Sequence, residues 1–283
     1  MDLSIIIPTF NKARYLNMVL FSIKKNIGID DIEILVVDDG STDDTKQVVT
    51  HHEKHIQLKY LYQKKQGLSS ARNNGIKNAS AESILFLDDD RVLEKEYLMN
   101  IDVKRISDVT IGRRREIYYS SFQVNEEGFK KAMFNDFADE QKKIRMERYY
   151  NKTLPLASIK TYIPWVGCTF SNTLIKKAVF ENIGLFEERF TGWGFEDLEL
   201  AYRAYISGFE FSWDDEMGSI HIYHTHSNSL LEQREVNFRL FCEKYGRQEV
   251  MLYREFMENK IDVCEYNEKV KDMMMVNQSK SYY

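Results

Sequence analysis

Carboxylates carry most of the chemistry available to this 283-residue chain. Asp88-Asp89-Asp90 directly follows the apolar run Ile84-Leu85-Phe86-Leu87. Carboxylates at i and i+2 just past a strand end can share a divalent cation, because Mg²⁺ and Mn²⁺ take oxygen ligands and leave places for water and substrate phosphates. An isolated acidic triplet is more often a turn that caps the next helix; its register with two other polar strand ends reverses that balance here. The second group, Glu196-Asp197, follows Gly192-Trp193-Gly194-Phe195 and opens the helical stretch Leu198–Ile206. A helix dipole favours carboxylates at that end, so capping is the plain reading. The chemical reading makes one of the pair a general base, taking the proton of an acceptor hydroxyl within ~3 Å. Trp193, set between two glycines, offers an indole face suited to stacking on the apolar C–H face of a sugar ring.

Four further segments could join them. In Asp38-Asp39-Gly40-Ser41, glycine and serine suit a tight turn while an aspartate accepts from a base N–H. Thr9 and Asn11 carry the same double reading. Gly67–Asn73 opens a helix with Arg72 one turn in, able to meet a diphosphate or an acidic loop. Alternation in Ile220–His226 puts His224 and His226 on one strand face with Ile220 and Ile222. One histidine could complete a metal shell begun by Asp90, against the plainer reading of solvated histidines on an edge strand. Arg113-Arg114-Arg115 reads as a solvated charged face.

The elements that must position these groups alternate along the first hundred residues. Strands are expected at Leu3–Ile7, Ile34–Val37, Leu58–Tyr62 and Ile84–Leu87, and helices at Ala13–Lys25, from near Asp43 with Ser41 and Thr42 as caps, and at Leu68–Asn78. Strands that read as continuous apolar runs between helices indicate a buried, mostly parallel sheet with helices on both faces. Ligands of such sheets bind beyond the carboxyl ends of the strands, where three polar loops should converge. Residues from about 125 to 152 suggest one or two amphipathic helices, a candidate acceptor-side lid. A second α/β segment spans about 161–226, and the last 50-odd residues read as helical and charged.

The formal charge is −5, from 39 Lys+Arg against 44 Asp+Glu. No cationic field collects phosphates, which argues against a general nucleic-acid binder. Cys168, Cys242 and Cys264 are far apart and lack metal spacing, so they are expected to be reduced thiols. The longest early apolar run, Ile5–Ile7, is far short of the ~20 residues of a membrane span. A cytoplasmic protein is the expectation, with docking at a membrane surface left open.

The blocks Ser4–Asn11, Val36–Ser41, Gly67–Gly75 and Leu87–Asp90 resemble, in order, those of the family 2 glycosyltransferases with a GT-A fold. Gly184–Glu188 and Gly192–Glu199 resemble the C-terminal half of galactosyl- and N-acetylgalactosaminyltransferases. The resemblance implies an α/β GT-A domain over residues 1–227, with a nucleotide-binding half at 1–110 and an acceptor and catalytic half at 160–227. A helical C-terminal extension follows at 228–283. It further implies that Thr9, Asn11, Asp38, Asp39, Arg72, Asp88, Asp89 and Trp193 hold the sugar nucleotide. Asp88 and Asp90 resemble the DxD pair, Asp88 toward the ribose and Asp90 on Mn²⁺ or Mg²⁺, with His224 or His226 as a further ligand. Asp197 resembles the catalytic base, and Glu196 would bind hydroxyls.

The implied activity is metal-dependent, inverting transfer of one hexose or N-acetylhexosamine from a UDP-sugar to a glycan, peptide or small-molecule acceptor. Phe195 stands where many members carry a second glycine. No Gln-x-x-Arg-Trp block is found, which favours single addition over polymerisation. A nucleotidyltransferase of similar fold is the main rival, but Pro8-Thr9-Phe10-Asn11 lacks a glycine-rich basic phosphate loop. A non-catalytic sugar-nucleotide-binding module is the other.

Overall fold

The computed structural model describes residues 2–26, 31–103, 106–117, 156, 160–222 and 229–280. The segment at 125–152, and with it the expected lid, lies outside the described residues, as do His224 and His226.

Strands β1 (Leu3–Thr9) and β2 (Ile32–Asp38) are buried along their whole length, as their unbroken aliphatic runs require. They pair in parallel, Leu3 on Ile32 through Thr9 on Asp38, so both polar ends emerge at one edge. Strand β3 (Leu58–Tyr62) adds to β2, and β4 (Ser83–Leu87) adds to the other side of β1. The β1–β4 ladder runs only from Ser4 to Ile6. Pro8, which has no N–H to donate, therefore lies beyond it, and the strand ends separate into a crevice.

Helices α1 (Ala13–Asn26), α2 (Thr45–Glu53) and α3 (Leu68–Asn78) connect these strands. Helix α3 sits directly on β1, because a Cβ on Gly75 would fall 2.5 Å from Ile6 Cγ2. Helix α2 begins at Thr45, and Ser41 and Thr42 do not cap it as expected. Asp43 instead accepts from the Thr45 N–H at 3.1 Å and from the Ala13 N–H at 2.9 Å, tying the starts of two helices together.

Beyond β4 the sheet becomes mixed. β5 (Arg91–Leu93) precedes the short helix α4 (Tyr97–Asn100); β6 (Val109–Ile117), a 3₁₀ turn at Pro164–Gly167 and β7 (Asn172–Lys176) follow. Then come α5 (Lys177–Ile183), α6 (Glu196–Ile206) and β8 (Phe211–Ile222). β7 runs antiparallel to β4 and β6, while β8 runs parallel to β6 and antiparallel to β5. The order is β3-β2-β1-β4-β7-β6-β8-β5, a curled eight-stranded sheet.

The chain closes with α7 (Ser229–Tyr245), α8 (Gln248–Met257) and α9 (Val263–Lys280). Their apolar residues Phe238, Phe241, Val250, Phe256 and Tyr266 join the cluster that buries Trp165 and Tyr202. Trp165 packs edge-on against Tyr202 at 5.0 Å between ring centroids and against Phe241 at 5.9 Å. Such ring pairs add to the area they bury. The terminal helices thus complete the core of the second half. No helix among the described residues is long and apolar enough to cross a membrane.

Candidate active site

The strand ends, the start of α6 and the terminal helices enclose a cleft of about 820 Å³, well within the range of small-molecule sites. Of the residues singled out by sequence, Thr9, Asp39, Arg72, Asp88, Asp89, Asp90, Trp193, Glu196 and Asp197 line it.

Asn11, which is exposed, and Asp38, which is buried, do not line it but hold the loop beside it. Asn11 adopts φ +53° and accepts from the Thr42 N–H at 2.7 Å, while its own N–H donates to Ser41 Oγ at 2.8 Å. Asp38, buried, accepts from Ser41 N–H at 2.7 Å and from the Tyr60 hydroxyl at 2.5 Å. Asp39 accepts from the Gln66 and Gly67 N–H groups, both at 2.8 Å, and from Gln63 Nε2. It fixes the loop that leads into α3.

Asp89 is buried and accepts from Thr9 Oγ1 at 2.8 Å. Lys12, the first residue after Asn11, places Nζ 2.5 Å from Asp90 Oδ2 and 3.3 Å from Asp89 Oδ1. Burial alone would lower the Lys12 pKa, but Asp89, Asp90 and Asp88 hold the ammonium well above its usual range. Asp89 is pushed up to about 6, chiefly by burial. His221 Nε2 lies 3.5 Å from Asp90 Oδ1. This histidine alternates with Ile220 and Ile222, both buried, and so faces the other way.

Asp88, beside Arg72, and Asp90, beside Lys12, offer carboxylate oxygens, the donor type that a hard divalent cation takes. Among the described residues no three His, Cys, Asp or Glu side chains are arranged to enclose one.

Across the cleft the backbone is contorted where α6 begins. Gly192, Gly194 and Phe195 have φ of +77°, +89° and +74°. For a residue with a Cβ, left-handed backbone costs on the order of 1–2 kcal/mol. Phe195 offsets this by burying its ring against Phe238 and Phe241, at 5.4 and 5.9 Å. It occupies a backbone suited to glycine, with its ring turned into the core. Trp193, at the tip, remains 41% exposed.

The turn delivers Glu196 and Asp197 to the first turn of α6. Asp197 Oδ1 accepts from the Leu198 N–H at 2.8 Å, and burial raises its pKa. Glu196 is raised to about 7, first by burial and then by the neighbouring Asp197 charge. Arg72, 2% exposed, reaches across from α3. Its Nη1 donates to Glu196 Oε1 at 3.1 Å, and its Nη2 lies 3.4 Å from both Asp88 Oδ1 and the Phe170 carbonyl oxygen. One guanidinium thus links the two carboxylate groups. Glu196 Oε2 is buried with no hydrogen-bond partner among the described residues.

The cleft also recruits Lys12, Arg114, His221, Arg234, Tyr253, Phe256 and Met257, none of which sequence reading assigned to the site. His221 comes from the far end of β8, Arg234 from α7 and the last three from α8.

A mixed sheet with acidic strand ends facing a helix-borne carboxylate pair defines a GT-A type nucleotide-sugar fold. The profile described as glycosyl transferase family 2 matches residues 4–184, and the chain belongs to that family. A second profile, described as the N-terminal domain of galactosyltransferase, matches residues 154–226.

Among relatives, the validoxylamine A glucosyltransferase of Streptomyces hygroscopicus subsp. jinggangensis is 27% identical over 89% of this chain and 62% of its own. The chondroitin synthase of Escherichia coli is 30% identical over 74% of this chain and 33% of its own. The chain therefore spans about three-fifths of the former and one-third of the latter. Among solved structures, S. aureus TarS 1–349 in complex with UDP-GlcNAc matches with TM-score 0.61 and 20% identity, over 91% of this chain and 73% of that one. That likeness supports the fold.

Proposed function

We propose that the chain transfers one hexose or N-acetylhexosamine from a UDP-sugar to the hydroxyl of a glycan, peptide or small-molecule acceptor, inverting the anomeric centre. The observation that carries this reading is the placement of Asp197 and Glu196 in the same cleft as Asp88–Asp90, joined through Arg72. The UDP-GlcNAc in the TarS complex and the glycosyltransferase names of the relatives support the donor class.

Asp197 accepts the proton of the acceptor hydroxyl as its oxygen attacks the anomeric carbon. Burial raises its basicity above that of a solvated aspartate. The acceptor oxygen forms the new bond as the bond to the diphosphate oxygen breaks on the opposite face, so an α-linked donor yields a β-linked product. Glu196 Oε2, with no hydrogen-bond partner among the described residues, is suited to a sugar hydroxyl. Trp193 offers its exposed face to the sugar ring. Thr9 and Asp39 line the uridine side, and Asp88 faces the ribose. Asp88 and Asp90 would hold Mn²⁺ or Mg²⁺, which when bound supplies positive charge to the departing diphosphate.

UDP release from a panel of UDP-sugars, with Mn²⁺, with Mg²⁺ and with EDTA, tests the reading. Metal-dependent release from one donor is expected. Silence across the panel together with no metal-dependent UDP binding overturns it.

A further inference from the structure

Resting on that reading, we propose that Arg234 recognises the acceptor, and that the acceptor carries an anionic group, a carboxylate or a phosphodiester, beside the hydroxyl that attacks. The argument begins with how α7 is fastened. Gln233 Oε1 accepts from the Trp193 N–H at 3.1 Å. Asn237, 2% exposed and one turn further on, donates through Nδ2 to the carbonyls of Thr191 at 3.1 Å and Gly194 at 2.8 Å. Gly192 permits the approach, since a Cβ there would lie 2.3 Å from Gln233 Oε1. Residues three and four apart share a helix face, so positions 233, 234 and 237 look toward the Trp193 loop together. Phe238 and Phe241 extend that face onto Phe195.

Arg234 sits between the two fasteners. Its stem lies over Gly194, where a Cβ would be 3.7 Å from Arg234 Cγ, and the residue lines the cleft. Neighbouring arginines behave differently. Arg239 and Arg254 both pair with Glu235, at 3.2 and 2.9 Å. Among the described residues Arg234 has no carboxylate partner, and the charges that act most on Asp197 are Arg72, Asp88 and Arg114.

Trp193 and, from α8, Tyr253, Phe256 and Met257, which carry no charge, line the same cleft. A guanidinium whose stem packs over Gly194 and which has no carboxylate partner among the described residues is suited to a planar or tetrahedral anion, which it grips with paired N–H donors. Lys12 already serves the acidic strand ends, and Arg234 packs instead on the loop that leads into the base. That places the anion on the acceptor.

The test offers wild-type enzyme, with its best UDP-sugar, matched acceptor pairs: methyl glucuronide against methyl glucoside, and a glyceryl phosphodiester glycoside against the same glycoside without phosphate. At least one acidic member is expected to outperform its neutral partner, and which one identifies the source of the anion. In Arg234→Gln the KM for that acidic acceptor rises about 10- to 100-fold, as expected for loss of a charged hydrogen bond. The donor KM stays within about twofold, and Arg234→Lys restores part of the loss. Equal use of acidic and neutral acceptors overturns the inference, as does an Arg234→Gln defect that falls on the donor KM. Should Arg234→Gln not fold, the wild-type preference decides. No UDP release and no UDP binding, by contrast, is failure of the transferase reading itself.

Discussion

Helix α6 presents two buried glutamates three residues apart, one toward the cleft and one toward the terminal helices. Glu199, fully buried, accepts from Arg203 Nε at 2.7 Å and Nη2 at 2.9 Å, from Lys244 Nζ at 2.8 Å and from the Tyr245 hydroxyl at 2.5 Å. Its lone pairs are used up by the chain. Glu196, nearly as buried, receives one guanidinium N–H at 3.1 Å and keeps an oxygen with no partner among the described residues. A buried carboxylate that serves the fold is saturated, because desolvation without compensation is costly. One that serves a ligand keeps acceptor capacity in reserve and holds its proton to higher pH.

The largest effect that sharpens this contrast belongs to the residue between them. Asp197→Asn should leave metal-dependent UDP binding unchanged in titration and lower the transfer rate by about 10²–10⁴, the worth of a general base. A full transfer rate would remove Asp197 from the mechanism.

Next, Glu199→Gln should cost about 1.5–3 kcal/mol in denaturant unfolding at pH 7, since it weakens the charged hydrogen bonds that the buried carboxylate accepts from Arg203 and Lys244. If Glu199→Gln is no less stable than Glu196→Gln, the contrast between saturated and reserved carboxylates fails.

Glu196→Gln probes the reserved side through pH. Its native pKa is about 7 against a usual 4.5, so between those values the native chain keeps a proton that the unfolded chain releases. The unfolded state binds fewer protons there, so stability is greatest below pH 4.5 and falls as pH rises to about 7. Relative to wild type, the variant should gain on the order of 2 kcal/mol between pH 5 and pH 8. Asp89 titrates in the same direction and keeps some slope in both proteins. Parallel stability curves for the two proteins would show that Glu196 is ionised throughout.

The smallest effect concerns the loop that carries Trp193. Asn237→Ala should reduce kcat/KM for transfer by about tenfold through looser positioning, with UDP affinity held within twofold by calorimetry. A loss of UDP affinity instead would place Asn237 on the nucleotide side.

Much of the first half of the fold was legible in the sequence. Ile5–Ile7, Ile34–Val37 and Ile84–Leu87 are local aliphatic runs ending in local polar turns, so strand, edge and loop can be read from one segment each. Helix α3 was bounded correctly at Leu68–Asn78 for the same reason. Pairings across distant chain were harder to read. Arg72 was read as able to meet a diphosphate or an acidic loop, but its spacing could not show that it would bridge Asp88 and, across 124 positions, Glu196. His221 was passed over for His224 and His226, because alternation reveals a face and not the neighbour that face will meet.

Arg234, Tyr253 and Met257 lie in a segment that reads as charged helix. Gln233 and Asn237, one turn apart and followed by Phe238 and Phe241, carried a usable sign that this helix has a face to dock. Ser41 and Thr42 failed as caps because Asp43 reached the N–H groups of two helices at once.

The fastening of α7 to the Trp193 loop has a consequence for synthesis. A ribosome delivers the chain from its N-terminus, and units of structure form as they emerge. Strands β1 to β4 and helix α3, which hold Thr9, Asp39 and Arg72, are complete by Leu87. The polar face that immobilises residues 191–194 arrives only with Asn237, and the wall of α8 only by Met257. A nascent chain therefore carries the first strand ends of the cleft well before it owns the fastening of the Trp193 loop. The α7 and α8 side of the cleft, with Arg234, Tyr253, Phe256 and Met257, is the last of it to be made.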